Sequence, residues 1–139
     1  NDTNNLILAF LQDASYAKIT PITDQPGYYY LVLSNVSPYV TYFSERPRRL
    51  RGLVPVAQFI TAWNSGTNNF KDNNPNGGII ASKINGQDSE NNPNLLAIFS
   101  NPIYDGSRNV MQYTVVPLYS QPLFSTSFTL QDVTIVIQQ

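Results

Sequence analysis

Four of the chain's eight cationic residues are arginines that lie within six positions of one another, in the segment Tyr39 to Gly52 (YVTYFSERPRRLRG). The cluster consists of Arg46, Arg48, Arg49 and Arg51. A guanidinium group binds carboxylate or phosphate oxygens bidentately and stacks on aromatic rings. We therefore predict that these arginines form a ligand-binding surface, together with Glu45 and with Tyr42 as a stacking support. The predicted ligand is polar or anionic: a glycan, a lipid headgroup or a partner protein.

A structural corner is the alternative interpretation of the same residues. Glu45 would then pair with an arginine, and Pro47 would end the strand. The neighbouring Tyr42 and Phe43 would point to opposite faces of a sheet. Arg46 would act as internal bracing, but the other three arginines are harder to accommodate in this way. The residues alone leave both interpretations open.

The residue types that the chain lacks exclude several reaction chemistries. It contains no histidine and no cysteine. Imidazole-dependent hydrolases, thiolate nucleophiles, disulfides and zinc–thiolate sites are therefore excluded in their usual form. Acid–base catalysis by two carboxylates remains, as in glycoside hydrolysis. The two glutamates and seven aspartates show no spacing that brings two of them together. We therefore expect no catalytic residues and no cofactor.

The polar loop Asp72 to Gly77 (DNNPNG) matches the opening of a calcium-binding EF-hand loop, in which side-chain oxygens converge around a turn-forming glycine. Position 12 of such a loop supplies a bidentate carboxylate, but in this chain it is Lys83. We therefore expect a polar turn and no metal site. Asn74 and Asn76 remain candidates for hydrogen bonds to the ligand of the arginine cluster.

Length and charge indicate one domain with no strong overall electrostatic field. A chain of 139 residues has the usual size of a single domain with one core. Charged residues make up 12% of it and the net charge is −1, so we do not expect nucleic acid as a partner. No apolar run approaches the ~20 residues of a membrane-spanning helix, and the first residues show no signal-peptide pattern.

Short β-prone segments separated by turn residues dominate the sequence. An apolar residue recurs at i, i+3, i+4 and i+7 from Val56 to Trp63, which predicts one helix over Pro55 to Trp63. Leu6 to Leu11 is a strand or a short helix. The other predicted strands are Tyr16 to Ile22, Tyr28 to Leu33, Val40 to Ser44, Gly78 to Lys83, Leu95 to Ser100, Met111 to Leu118 and Phe128 to Ile137.

These elements predict a mainly β fold with antiparallel strands, because strands do not alternate with helices along the chain. We expect a β-sandwich or a partly open barrel of seven or eight strands, with one short helix at about residues 55–63. Tyr28 to Leu33 is apolar on both faces, which predicts a central strand. The apolar parity of the last strand changes at Gln131-Asp132, which predicts a β-bulge.

A longer pattern combines several of these motifs. The run Asn35 to Pro47 (NVSPYVTYFSERP) is followed by Gly52, by VPVAQF from Val54, and by Trp63, Phe70, Asn74-Pro75-Asn76 and the element Pro102 to Asp105 (PIYD). This order resembles a family of uncharacterised bacterial exported proteins that share a VSPxxxYFS[DE]RP…G…F…W…F…PPN frame. The resemblance covers roughly residues 6–118, and Asn74 departs from it where the frame has a proline.

The resemblance implies a small β-rich domain that is exported to the periplasm or beyond after removal of a signal peptide. It implies no substrate, cofactor or catalytic residue. We therefore expect a secreted, non-enzymatic binding module for a polar or anionic ligand. A structural or assembly protein of the cell envelope or secretome is the first alternative, and a carboxylate-based hydrolase is the second.

Overall fold

The structure is a computed structural model that describes residues 8–45, 48–88 and 95–138. These residues form nine β-strands, one α-helix and a short 3-10 turn. The strands are β1 (Ala9–Pro21), β2 (Tyr29–Val36), β3 (Tyr39–Ser44), β4 (Leu50–Pro55), β5 (Asn76–Ile84), β6 (Gln87–Asp88), β7 (Leu95–Asp105), β8 (Val110–Pro117) and β9 (Phe128–Gln138). The helix α1 is Val56–Trp63, and the 3-10 turn is Pro122–Ser125.

Six of the strands close into an antiparallel barrel. Around the barrel the order is β1, β2, β8, β7, β5 and β9, and β9 pairs again with β1. The other pairs in this ring are antiparallel as well. Closure gives each of the six strands a neighbour on both sides, which protects their backbone groups from pairing with other chains.

Strand β1 is shared between the barrel and an outer hairpin. Residues 9–11 pair with β3, residues 14–21 pair with β2 on the same side, and β9 pairs along the opposite edge. Strand β4 pairs with β3 at the outer end of the sheet, and β6 pairs with the end of β5. The β3–β4 hairpin therefore extends from the barrel wall beside β1.

The barrel interior combines large aromatic rings with small residues. Phe99 and Tyr113 are fully buried, and their ring centroids lie 5.1 Å apart. Ala17 and Ala97 are equally buried, and Gly77 faces the ring of Phe99. The small residues make room for the aromatic rings, so the interior is densely packed and has no wide central channel.

Helix α1 packs against the barrel through one apolar side. Its buried residues are Val56, Phe59 and Trp63, and the ring centroid of Trp63 lies 5.9 Å from that of Tyr113. Pro55 occupies the N-cap position, and Asn64 closes the last turn by donating from its amide nitrogen to the carbonyl of Ile60. Within the described residues, no helix has both the length and the apolar character needed to cross a membrane.

In four barrel strands two consecutive residues face outward, which interrupts the alternation of inward- and outward-facing residues. These interruptions lie beside one another across the sheet. In β9, Leu130 and Val133 are both buried, so Gln131 and Asp132 both face outward. The same change occurs at residues 15–16 of β1, 34–35 of β2 and 82–83 of β5. A row of small polar residues therefore crosses the outer wall. This polar row consists of Asn35, Ser15, Asp132 and Ser82.

The mainly β antiparallel fold and the helix predicted from the sequence are confirmed. The barrel is closed, and the described residues form nine strands, six of them in the barrel, where seven or eight were expected. Strand β4 was missed because LRGLVP contains a glycine, a proline and no alternation of apolar residues. Strand β6 was missed because it has only two residues. The predicted segments Leu6 to Leu11 and Tyr16 to Ile22 contribute to the single long strand β1.

Two further expectations are corrected. Strand β2 is central, since it pairs with β1 and β8, but only one of its faces is buried, and Tyr30 on the other face is 38% exposed. At Gln131-Asp132 no residue is inserted, because β9 pairs with β1 and β5 at the same offset before and after it. The change of face instead coincides with a left-handed backbone at Asp132, whose φ is 52°.

Gly77→Ala should destabilise the protein, whereas Gly78→Ala should leave it nearly unchanged. A Cβ atom at position 77 would lie 2.6 Å from Cε1 of the buried Phe99, but at position 78 it would lie 3.8 Å from Cδ2 of Leu96. We expect a loss of roughly 1–3 kcal/mol in unfolding free energy for the first variant. The second should change by less than about 0.5 kcal/mol. Chemical denaturation measures both, and equal effects would contradict this packing.

Candidate functional site

The predicted arginine cluster lies on the β3–β4 hairpin, outside the closed barrel. The two strands pair from Tyr39 opposite Pro55 to Ser44 opposite Leu50. Glu45, Arg48 and Arg49 therefore lie at the tip of the hairpin. Strand β4 has β3 as its one partner strand in the described part of the chain.

The guanidinium groups of the described arginines face solvent. Arg48, Arg49 and Arg51 are all exposed, and Arg46 lies outside the described residues. Nε of Arg49 lies 3.3 Å from Oε2 of Glu45, and these side chains keep 88% and 65% of their surfaces accessible. The predicted pairing of Glu45 with an arginine is thus confirmed. It is a surface contact, which adds little to stability.

Phe43, rather than Tyr42, shares a face of the hairpin with Arg51. The register places Phe43 opposite Arg51 and Tyr42 opposite Gly52, and successive residues of a strand point to opposite faces. The ring of Tyr42 lies across Gly52, where an added Cβ atom would be 2.5 Å from Cζ of Tyr42. A ligand that stacks on Tyr42 would therefore have to use the side of the ring that Gly52 does not cover.

Asn74 and Asn76 do not lie beside the arginines. From Asn76 the strand pairing runs through β9, β1 and β3 to Arg51 on β4. Four steps between neighbouring strands separate the two residues, or about 19 Å at ~4.8 Å per step. Both asparagines are exposed. The role predicted for them would therefore require a ligand long enough to span this distance.

The hairpin is a positive patch on an otherwise acidic molecule. Residues 45–51 include four arginines and one glutamate, which gives a net charge of +3. The rest of the chain has four cationic and eight acidic residues, which gives −4. A partner that bears negative charge would therefore meet an attractive field at the hairpin and a repulsive one elsewhere.

Two other polar turns are held by their own side chains. Oδ1 of Asn69 accepts a hydrogen bond from the amide of Asp72 at 2.8 Å, and Nδ2 of Asn69 donates to Oδ2 of Asp72 at 3.2 Å. In the β7–β8 turn, Oδ1 of Asp105 accepts bonds from the hydroxyl and amide of Ser107 and from the amide of Arg108. The Ser107 hydroxyl is the main reason that the pKa of Asp105 is below its usual value.

Potential metal ligands do not converge in the described part of the chain. No group of three or more acidic, histidine or cysteine side chains lies close enough together to hold a metal ion there. Asp72, which opens the calcium-like motif, directs a carboxylate oxygen to Asn69 within its own turn. Lys83 lies in β5 and is exposed.

One hydrogen bond joins two polar side chains inside the barrel. The hydroxyl of Tyr113 donates to Oε1 of Gln12 at 2.6 Å, and both residues are buried. Nε2 of Gln12 has no hydrogen-bond partner in the described part of the chain. Burial raises the pKa of Tyr113, because the phenolate would lose its hydration.

A small cavity of about 190 Å³ lies between helix α1, the loop that follows it and the start of β1. Its walls combine polar residues of the loop with four aromatic side chains: Phe10, Phe59, Trp63 and Phe70. These four rings also contact one another, with centroid distances between 4.9 Å and 5.9 Å. The periodicity of the sequence predicts Phe59 and Trp63 on the apolar side of the helix, and their mutual packing agrees with a core role.

A larger depression of about 490 Å³ opens on the outer wall of the barrel along the polar row. None of its residues was singled out as a ligand-binding candidate from the sequence. The parity change at Gln131-Asp132 was the one local sign, because it indicated that two consecutive residues of β9 face outward. The depression is lined by Asp13, Ala14, Ser15, Asn35, Val36, Ser37, Pro38, Asn109, Asp132, Val133 and Thr134.

Comparisons with protein-family models, with curated proteins and with solved structures gave no match to this chain. The resemblance to exported bacterial proteins, and the export that it implies, therefore stay predictions.

Tyr113→Phe should destabilise the protein more by itself than when it is combined with Gln12→Met. By itself it leaves both ends of the buried Gln12 amide unpaired, which costs about 1–3 kcal/mol. The double variant replaces both polar partners with apolar groups of similar size and should recover most of this loss. Denaturation of both single variants and the double variant gives the coupling energy. Strictly additive losses would show that the two groups do not interact.

The same tyrosine should make stability depend on pH in the alkaline range. Burial raises the pKa of Tyr113 in the folded protein, while a tyrosine in the unfolded chain ionises near pH ~10. The neutral hydroxyl therefore stabilises the fold in full below about pH 10, and this contribution declines as the pH rises further. Tyr113→Phe should show a weaker decline of unfolding free energy above about pH 10. An identical slope in both proteins would contradict the burial of this hydroxyl.

Proposed function

We propose that the protein is a non-enzymatic binding module that attaches to anionic lipid headgroups through the β3–β4 hairpin. The observation that carries this proposal is the exposure of three guanidinium groups on a hairpin outside the barrel. They belong to Arg48, Arg49 and Arg51. Of the three, Arg49 is the one with a carboxylate partner within the described residues. The patch is therefore available to bind phosphate oxygens.

An exposed leucine beside Arg51 favours a lipid surface over an acidic glycan or a protein. Leu53 keeps 64% of its surface exposed and lies two residues after Arg51 on the same face of β4. Leu50, which is 36% exposed, lies on the opposite face near the hairpin tip. At a membrane surface, guanidinium groups contact phosphates while apolar side chains enter the boundary between headgroups and acyl chains. A dissolved glycan would leave both leucines in water.

The charges predict a weak, oriented and salt-dependent attachment. Each cationic residue near an anionic surface contributes about 1 kcal/mol. The net charge of +3 on residues 45–51 thus corresponds to about 3 kcal/mol, or roughly a hundredfold in affinity. The remaining charge of −4 would repel the same surface, but charges more than ~8–10 Å away are largely screened at physiological ionic strength. The hairpin would therefore meet the membrane first.

A carboxylate-based hydrolase is the second candidate, because Asp13 and Asp132 line the same depression. They are diagonal neighbours on β1 and β9, which places their Cβ atoms roughly 7–8 Å apart. Inverting glycosidases separate their two carboxyl groups by about 6.5–9.5 Å. Release of reducing sugar from a polysaccharide by the wild type, with loss of this activity in Asp132→Asn, would favour the hydrolase.

An assembly protein of the envelope is a further alternative. The outer edge of β4 has no partner strand within the described residues, and such an edge can accept a strand of another protein. Export to the periplasm or beyond is part of all the non-enzymatic proposals. A self-association constant that is unaffected by salt and lipid would favour assembly.

Removal of two arginine charges should weaken lipid binding strongly. We expect Arg48→Gln combined with Arg51→Gln to bind vesicles of phosphatidylcholine and phosphatidylglycerol about thirtyfold more weakly than the wild type, since two contributions of about 1 kcal/mol are lost. Co-sedimentation measures the bound fraction. The matched control is Lys18→Gln combined with Lys83→Gln, which removes two exposed charges from the barrel wall and should bind like the wild type.

Glu45→Gln should have the opposite effect. It removes the carboxylate that pairs with Arg49, so vesicle binding should become tighter and should still decline as salt is added. Equal binding to vesicles of phosphatidylcholine alone, or equal losses in the arginine and lysine variants, would overturn the lipid proposal. Binding to immobilised heparin without binding to vesicles would identify an acidic glycan as the ligand instead.

A further inference from the structure

The outer depression is a second surface feature, separate from the hairpin tip. It lies where β2 leads into β3, at Ser37 and Pro38. Strand β3 has six residues and therefore separates the depression from Glu45 by about 20 Å at ~3.3 Å per residue. The volume of about 490 Å³ falls within the range of roughly 300–1,000 Å³ that is usual for small-molecule sites.

Internal hydrogen bonds hold the polar side chains of the depression in place. Nδ2 of Asn35 donates to Oγ of Ser15 at 2.6 Å. Oγ1 of Thr134 donates to Oδ1 of Asp13 at 2.8 Å, and Oγ of Ser82 donates to Oδ2 of Asp132 at 2.8 Å. Each bond fixes a side chain that would otherwise lose rotamer freedom when a ligand binds, so the groups are preorganised.

The same bonds leave both donors and acceptors available. Among the described residues, each carboxylate accepts a side-chain hydrogen bond through one oxygen and keeps the other, so Asp13 and Asp132 offer two strong acceptors. Oδ1 of Asn109 accepts a hydrogen bond from the hydroxyl of Tyr104 at 3.1 Å. This bond turns the Nδ2 group of Asn109 away from Tyr104. The hydroxyl of Ser15 accepts from Asn35 and keeps its own proton to donate.

This mixture of groups selects the charge of the ligand. The lining contains two carboxylates and no lysine or arginine, so an anion would be repelled. A metal ion would find only two carboxylates in the lining, and no group of three or more acidic, histidine or cysteine side chains converges within the described residues. The hydroxyl groups of a sugar both donate and accept hydrogen bonds, so they can pair with the carboxylate, amide and hydroxyl groups of the lining. We propose that the depression binds an uncharged oligosaccharide.

Two exposed tyrosines are chain neighbours of residues that line the depression. Tyr16 follows Ser15 and is 39% exposed, and Tyr39 follows Pro38 and is 48% exposed. A pyranose ring has one face of C–H groups that can lie on an aromatic ring, while its hydroxyls bond to the polar row. Val36, Val133 and Ala14 also line the depression, but their side chains are buried in the core. The polar row and the two tyrosine rings together offer the polar and apolar contacts that a sugar needs.

The direct test is a nuclear magnetic resonance titration of the ¹⁵N-labelled protein with four uncharged trisaccharides: cellotriose, maltotriose, mannotriose and N,N′,N″-triacetylchitotriose. We expect at least one of them to shift the amide signals of residues 13–16, 35–37, 39 and 131–134 with a Kd of about 1 mM or tighter. If none of the four trisaccharides shifted these amide signals at about 10 mM, the proposal would be overturned. Shifts confined to other surfaces would overturn it as well.

Matched pairs of variants separate loss of the site from loss of the fold. Asn35 and Asn101 both have left-handed backbone, with φ of 54° and 52°, so glycine fits both positions. Asn35→Gly should weaken the binding of the trisaccharide about tenfold or more, as expected when hydrogen-bonding groups are removed. Asn101→Gly, outside the depression, should bind like the wild type.

Asp132→Asn and Asp24→Asn form the second pair, because both aspartates have left-handed φ angles, 52° and 72°. We expect the first to weaken sugar binding and the second to leave it unchanged. Calcium chloride alone should not reproduce the amide shifts, and if it did, the depression would be a cation site. The double variant Arg48→Gln and Arg51→Gln should bind the trisaccharide normally, so the outcome is independent of the lipid proposal.

Discussion

The pairing of β1 with three other strands is the constraint on which the rest of the structure depends. Strand β9 pairs along one edge of β1, and the opposite edge is divided between β3 and β2. The part that pairs with β2 closes the barrel. The part that pairs with β3 directs the hairpin away from it. A single strand of 13 residues therefore sets both the closed core and the position of the exposed arginines.

The polar row on the outer wall is a consequence of how these strands pair. Cross-strand neighbours share a face of the sheet, so a change of face in one strand must be matched in the next if the core is to stay apolar. In β1, β2, β5 and β9 the change of face occurs at neighbouring positions, and Ala14 and Val133 beside it remain buried. Asn35 and Asp132 tolerate the left-handed backbone better than β-branched residues would.

The two proposed binding surfaces differ in chemistry because they arise from different parts of this arrangement. The end of the hairpin lies outside the barrel, so the arginines there are exposed and can carry uncompensated positive charge. The depression lies on the barrel wall, where hydroxyl, amide and carboxylate groups bond to one another across strands. One surface suits an anionic phosphate and the other an uncharged polyol. Both would be compatible with a protein of the cell envelope.

The sequence by itself determined the antiparallel β class, the helix that ends at Trp63 and the clustering of the cations, because periodicity, turn residues and charge clustering are local properties. Only the tertiary structure decided that the barrel closes, that Tyr42 packs on Gly52 and that Asn76 is four strands from Arg51. These facts depend on register between segments far apart in the chain. Gln12 and Tyr113, which are 101 positions apart, show the reason: no local pattern specifies which distant residues meet.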